Sequence, residues 1–295
     1  MMGIRSLMIA TLFSGVLCAQ PPYKAEIEKW RQEREASIRK DDGWLAVAGL
    51  FWLKEGENRV GRGAANQIVL PPRSAPERVG TFVLRGGKTT FTAERGVAVT
   101  SGGKPVHSLE VRPDTPGPPD IIAVRDLTMQ VIKRGARYGI RLRDKNSSFR
   151  RQFTGLRWFP VDEAWRIQAK FVSYSPPKQI PVLNIIGDTE PMPCPGYVAF
   201  RLAGKEYRLE PIAEDNRLFV IFRDLTSGRE TYPSGRFLYA DAPRDGQVIL
   251  DFNKAYNPPC AFTLYATCPV PPPQNRLAVR IPAGELTYHS AVRGK

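Results

Sequence analysis

The chain has only two histidines, His107 and His289. That scarcity excludes a multi-histidine metal centre, and it leaves a Ser-His-Asp triad dependent on His107 or on a residue of the tail. No glycine-rich loop of the P-loop or dinucleotide type is present, so no cofactor and no metal are expected. Long apolar runs are absent after the first 19 residues: Trp44 to Leu53 is half of the roughly 20 residues that a membrane span requires. Cysteine is scarce as well, with four residues, at positions 18, 194, 260 and 268.

What is present is proline, glycine and positive charge. Twenty-seven prolines and 25 glycines imply many turns, which favours β structure over helices. The formal net charge is +14. Residues 1–19 have the pattern of a secretory signal peptide: Arg5, an apolar run from Leu7 to Leu17, and a small residue at Ala19. The expected location is therefore periplasmic or secreted, with no transmembrane segment once the signal is removed. For an exported chain, positive charge points to a small anionic ligand or an anionic envelope component as the partner, and nucleic acid is disfavoured. Composition does not fix an oligomeric state. In an oxidising compartment the neighbouring Cys260 and Cys268 are expected to form a disulfide, leaving Cys194 as the odd thiol.

Pro21-Pro22 suit a helix entrance, and Ile27, Trp30 and Ile38 give a narrow apolar stripe over 23–40. Trp44–Leu53 is short, nearly all apolar and interrupted by Gly49, which reads as a buried strand pair. Short apolar segments separated by Gly and Pro turns then recur to the end of the chain, including Phe262–Tyr265 and Leu277–Ile281. Gly86-Gly87 is a two-residue hairpin signal. The fold class is therefore mainly β, an antiparallel sandwich or barrel with an N-terminal α-helix. The proline-rich stretch from Arg112 to Asp120 either divides the β structure into two units or is only a long loop. On this division 1–19 is the signal, 20–43 the helix, 44–112 the first β unit, and 113–295 a second unit that carries the site. His289 to Lys295 read as a loose tail.

The candidate site centres on Asp251 to Pro269, which concentrates amides, a carboxylate, tyrosines and both late cysteines between Pro258-Pro259 and a run of prolines. Its members are Tyr232, Arg236, Asp251, Asn253, Tyr256 and Asn257. Arg236 follows a turn at the entrance of a strand and carries the planar five-donor fork that suits a carboxylate or phosphate. No residue is assigned a catalytic role. Asp224, Glu230 and Asp251 could serve as acid–base carboxylates, or Asp224 could shape a turn while Asp251 pairs with arginine. Arg141, Arg143, Arg150, Arg151, Arg157 and Arg166 interleave with aromatics, a pattern that suits anions or sugars and equally suits arginines on the wet face of strands. Three functions stay open: a binding protein for a small anionic or polyhydroxylated ligand, a carboxylate-dependent hydrolase, and a structural envelope protein without ligand.

Two resemblances extend this reading. Gly61-Arg62-Gly63 with Asn66-Gln67-Ile68-Val69-Leu70 resembles the first motif of forkhead-associated domains, over residues 56–111. The resemblance implies a small β sandwich. It does not carry phosphothreonine binding, because Arg73-Ser74-Ala75-Pro76 stands where those domains have Ser-x-x-His. A longer resemblance joins Asp42-Gly43-Trp44-Leu45, Gly49-Leu50-Phe51-Trp52-Leu53, Phe153 to Pro160, Asp224 to Tyr232, Gly235-Arg236-Phe237-Leu238 and Asp251 to Cys260. On these residues the chain is similar to the domain-of-unknown-function family numbered 1684, a resemblance that implies no activity.

Overall fold

The computed structural model describes residues 22–288. The signal segment and the residues from His289 onward lie outside the described residues. The chain is mainly β, with antiparallel sheets and one long helix at its N-terminal end.

The helix, Tyr23–Arg39, starts directly after Pro22 and buries Ile27 and Ile38. It packs on the β body through the stripe that the sequence displays. A 3₁₀ turn, Trp44–Ala46, follows and leads into a single strand, Val47–Trp52, where a strand pair was expected. Gly49 does not break this strand: the register shift between Val47 and Gly49 is absorbed by a bulge against Arg143 and Leu142.

Two sheets form the first sandwich. A six-stranded sheet runs in the order Val47–Trp52, Arg137–Asp144, Leu127–Arg134, Ile121–Val124, Thr100–Ser101, Lys104–Pro105. A five-stranded sheet runs Ile68–Val69, Gly56–Gly61, Gly80–Arg85, Lys88–Ala93, Ser108–Val111. Val60, Phe82 and Phe91 of one sheet meet Met129, Val131, Ile140 and Leu142 of the other in a continuous core. Period-two alternation supplies these inward residues. The Gly86-Gly87 turn closes its hairpin with φ of 55° and 81°, the pair of positive values that a tight two-residue turn between twisted strands needs.

The unit boundary differs from the expected one. The Arg112–Asp120 stretch is a loop inside the first sandwich, which continues to Asp144. The loop is tied down by its own charges. Asp120 takes a bidentate bond from Arg112 at 2.7 and 3.0 Å, and Asp114 accepts from the Lys133 amide at 2.9 Å and pairs with Arg134. Proline content alone reads as a linker; these pairings make it a rigid corner.

The second sandwich joins a four-stranded sheet to a three-stranded one. The former is ordered Lys205–Leu209, Thr189–Leu202, Arg166–Leu183, Gln247–Asp251, and the latter Ile212–Glu214, Arg217–Phe222, Arg236–Asp241. Val198, Phe200, Val248 and Leu250 pack on Val220, Phe222, Leu238 and Ala240 between them. The outer face of the three-stranded sheet is covered by a further apolar cluster that includes Cys194, Cys260 and Cys268. Phe262–Tyr265 and Leu277–Ile281, expected as strands, are irregular. The second nonetheless runs beside residues 223–225, with the Leu277 N–H donating to the Arg223 carbonyl at 2.7 Å and the Leu225 N–H to the Val279 carbonyl at 3.0 Å.

Candidate functional site

A cleft of about 500 Å³ opens where the N-terminal helix crosses the edge of the second sandwich. Three elements build it. Tyr23, Glu26 and Trp30 lie at i, i+3 and i+7 of the helix and so share one face. The strand register supplies the floor, with Arg166 opposite Asp251 and Arg217 opposite Asp241. A 3₁₀ turn after Asp251 brings Lys254 to the rim, and Tyr256 follows.

The aromatic wall is continuous. The Tyr239 and Tyr256 rings are 6.5 Å apart and nearly parallel, at 15°. Phe219 stacks on Tyr239 at 4.8 Å, and the Trp30 ring lies 6.5 Å from that of Tyr256, tilted by 54°. Trp30 is in turn held edge-on by Trp158 at 5.7 Å. The Arg217 guanidinium lies 4.2 Å from the centre of the Tyr239 ring, and that of Arg34 lies 4.4 Å from the centre of Tyr256. Burial pushes the Tyr256 hydroxyl up to about 12, against the opposing pull of Arg34, so it stays a neutral donor at physiological pH.

The charges in the cleft are unequally satisfied. Lys254 Nζ donates to Glu26 Oε1 at 2.6 Å, and that bond holds the Glu26 carboxyl below its usual range. Asp251 Oδ1 accepts from the Tyr23 hydroxyl at 2.8 Å, the Asn253 amide N–H at 3.1 Å and Asn253 Nδ2 at 3.3 Å. Burial, followed by the Asp251 contact, raises the Tyr23 hydroxyl, which therefore stays protonated and donating. Among the described residues Arg166 and Arg217 form no ion pair. They share the cleft lining with the carboxylates of Glu26, Asp241 and Asp251 without a direct ion pair to any of them.

Of the six residues expected in one site, Asp251 and Tyr256 line this cleft, and the other four do not. Asn253 is fully buried behind it, donating to the Tyr23 hydroxyl and the Asp162 carbonyl, both at 2.8 Å. Asn257 is fully buried and donates Nδ2 to Glu285 Oε1 at 2.7 Å and to the Leu286 carbonyl at 2.8 Å. The Tyr232 hydroxyl donates to the Cys260 carbonyl at 3.1 Å. Arg236 is the clearest correction. It is 1 % exposed, and strand alternation sends it to the same side as Leu238, into the closed core. There it pairs with Asp224 at 3.2 Å, not with Asp251, and donates to the carbonyls of Ile281, at 3.1 Å, and Ala283. It is a structural clamp and cannot face a ligand. Glu230 is likewise occupied, by Arg280.

The expected Cys260–Cys268 disulfide is not formed. Both are thiols, and Cys268 Sγ accepts the Cys260 amide N–H at 3.1 Å. Burial and the neighbouring Cys260 raise the Cys268 thiol strongly, so it behaves as a small apolar core residue. Among the described residues no group of three or more His, Cys, Asp or Glu is arranged to hold a metal ion, and no helix is long and apolar enough to cross a membrane.

The site residues missed in the sequence are Glu26, Trp30, Arg166, Arg217, Tyr239 and Lys254. Trp30 was legible as the apolar side of the helix, and Arg166 as one of an aromatic-interleaved set. What brings them together is a strand register and a helix crossing, neither of which local pattern encodes.

The chain belongs to the family described as "Protein of unknown function (DUF1684)", whose model matches residues 151–286. The match includes the cleft's strands and Tyr256 but not the helix that supplies Glu26 and Trp30. An uncharacterized protein of Haloarcula marismortui, solved in solution, is 34% identical over 47% of this chain and 79% of that one, with a TM-score of 0.40. The FHA domain of FhaA, crystallised in a complex, is 20% identical over 32% of this chain and 97% of its own, with a TM-score of 0.23. An FHA domain from work on phosphothreonine-dependent interactions has the same identity and TM-score and is covered over 92% of its length. At these TM-scores the overlaps carry no argument about a ligand. A search of curated proteins finds no match.

Proposed function

We propose that the chain is a binding protein for a small ligand that is both polyhydroxylated and anionic, a sugar acid or a sugar phosphate, held in the helix-capped cleft. The observation that carries this reading is the near-parallel Tyr239–Tyr256 wall flanked by Arg166 and Arg217, two guanidiniums without an ion-pair partner among the described residues. Aromatic side chains beside arginines suit a ligand with both apolar C–H and polar groups, such as a sugar, and an arginine fork takes both oxygens of a carboxylate or phosphate. The cleft's volume is that of an ordinary small-molecule pocket.

Binding is favoured over carboxylate-dependent hydrolysis by the state of the acids. A general acid needs a carboxyl raised towards neutrality. In the cleft Glu26 is moved the other way by Lys254, and Asp251 Oδ1 is committed to three donors. The carboxyl that burial raises, Glu285 at about 7, is wholly buried beneath Asn257.

Export belongs to the same proposal. It rests on the charge and apolar pattern of residues 1–19, which suits a protein meeting envelope-derived anionic sugars. N-terminal sequencing of the native protein tests it: a start near Gln20 is expected, and an intact Met1 would contradict it.

The binding reading is tested by calorimetric titration with glucuronate, galacturonate and glucose 6-phosphate, with glucose and inorganic phosphate as controls. Arg217 is exposed, so Arg217→Ala leaves the fold intact. It should weaken the anionic sugars about tenfold or more, equivalent to about 1.4 kcal/mol. Equal affinity in the variant would overturn the assignment.

A further inference from the structure

Arg141 sits in the seam between the two sandwiches, far better buried than a guanidinium usually is, at 4 % exposure. Its strand alternates. Ile140 and Leu142 enter the first core, and Arg141 and Arg143 project from the opposite face. That face is covered by the segment that follows Phe262. Thr263 Oγ1 donates to the Val47 carbonyl at 3.2 Å, and Arg134 Nε donates to Thr267 Oγ1 at 2.9 Å. The expectation of arginines on a wet strand face therefore fails for Arg141, because a second layer covers it.

The neighbouring guanidiniums are mostly satisfied. Arg134 is held by both oxygens of Asp114, and Arg143 donates one Nη to Gln130. Arg141 is not. Its Nε and Nη2 are both sealed from solvent and have no hydrogen-bond partner, and the same holds for Arg143 Nε. Trp44 contributes only its ring face, 5.1 Å from the Arg141 guanidinium, which leaves the N–H edge unmet. Nε and Nη2 form one edge of the guanidinium, the edge that receives two oxygens side by side. Most buried donors in native proteins have partners, and among the described residues Arg141 is the one side chain with two buried donors that lack one. Burial, then Arg134 and Arg143, lowers Arg141 to about 10, so it remains a cation at neutral pH. The nearby Cys268 thiol is raised by burial and by Cys260, stays protonated, and does not serve as its counter-ion.

We propose that Arg141, assisted by Arg143, binds a small oxyanion in the seam between the two sandwiches, two of whose oxygens lie along the Nε–Nη2 edge of Arg141. The site is separate from the cleft and independent of the ligand proposed there. A carboxylate and a tetrahedral oxyanion share the required pair of oxygens, and the experiment separates them.

Urea midpoints of the whole chain are measured at constant ionic strength, replacing chloride stepwise by acetate, sulfate or inorganic phosphate. Unfolding releases whatever the seam holds, so the midpoint should rise with the logarithm of the bound oxyanion's concentration. The anion giving the steepest rise identifies the class. Sulfate and phosphate also stabilise proteins by exclusion from their surfaces, and Arg141→Met sorts the two effects. The oxyanion-specific rise should vanish in Arg141→Met and persist in Arg217→Ala, which alters only the cleft. Equal midpoints in all four salts, or an unchanged rise in Arg141→Met, would overturn the proposal. If Arg141→Met does not fold, the Arg141 Nε–Hε resonance of the unmodified protein decides: a saturable shift with one oxyanion supports the site, and a resonance unmoved by all three removes it.

Discussion

Replacing Arg236 by methionine keeps most of the side chain's length and removes its charge. In the native protein the guanidinium is sealed against Phe222 and Asp224 and donates to two carbonyls, those of Ile281 and Ala283. The substitution leaves the Asp224 carboxylate buried, with only Thr226 Oγ1 at 2.7 Å, the Ile281 amide at 2.7 Å and the weaker Ser227 hydroxyl contact at 3.4 Å to hold its charge. Breaking a buried pair from one side costs about 3–5 kcal/mol, because the stranded charge has lost its counter-ion. In a chain of this size that corresponds to roughly 6–20 °C in melting temperature, at about 2–4 °C per kcal/mol. Urea unfolding followed by far-UV circular dichroism and by intrinsic fluorescence measures the loss, the two probes also testing whether the sandwiches unfold together. Adding Asp224→Asn should recover part of the stability, since the second change removes the stranded charge. A loss below about 1 kcal/mol for Arg236→Met alone would refute the clamp, because that is the scale of an exposed pair.

Other consequences follow from the same geometry. Glu285 is raised by burial from 4.5 to about 7, with Arg34 Nε 3.6 Å away and Asn257 donating to both its oxygens. The native state thus holds a proton that the unfolded state releases between those values, and stability should fall as pH rises through that window, by at most about 3 kcal/mol. Urea midpoints at pH 5 and 8 test the sign, and Glu285→Gln should flatten the slope. A Cβ on Gly61 would come within 2.1 Å of the Glu77 carbonyl oxygen, so Gly61→Ala should destabilise the first sandwich by about 1–3 kcal/mol, seen as a lower melting temperature. Cys194, Cys260 and Cys268 should react with a thiol reagent slowly in the native protein and fully in denaturant without reductant; incomplete reaction of Cys260 and Cys268 would show a disulfide after all.

Much of the fold was legible because it is written in local pattern. The helix stripe of Ile27, Trp30 and Ile38, the Gly86-Gly87 turn and the alternating strands each specify themselves within about ten residues. The Arg112–Asp120 stretch stayed open between linker and loop because its prolines are visible in sequence while the ion pairs that fix it are not. Arg236 illustrates the limit more sharply. A strand entrance can face a cleft or a core, and only the position of the second sheet decides which. The same holds for Arg141, whose alternation was correctly seen but whose outer face a later segment covers. The cleft needs a helix from residue 23 onward, strands beginning at Arg166, Arg217 and Arg236, and a turn at Lys254. Of the cleft residues only Asp251, Lys254 and Tyr256 stood in the stretch whose composition drew attention, and Lys254 was not singled out there.

The central claim is that the Tyr239–Tyr256 wall with Arg166 and Arg217 binds an anionic sugar. Ligand-observed NMR with glucuronate, galacturonate and glucose 6-phosphate, on the native protein and on Arg217→Ala, tests it most directly. Saturation transfer to the ring protons of at least one of these in the native protein, with glucose silent and the signal lost in Arg217→Ala, is the outcome the geometry requires. No transfer to any of the three, or transfer of equal strength in Arg217→Ala, would contradict it.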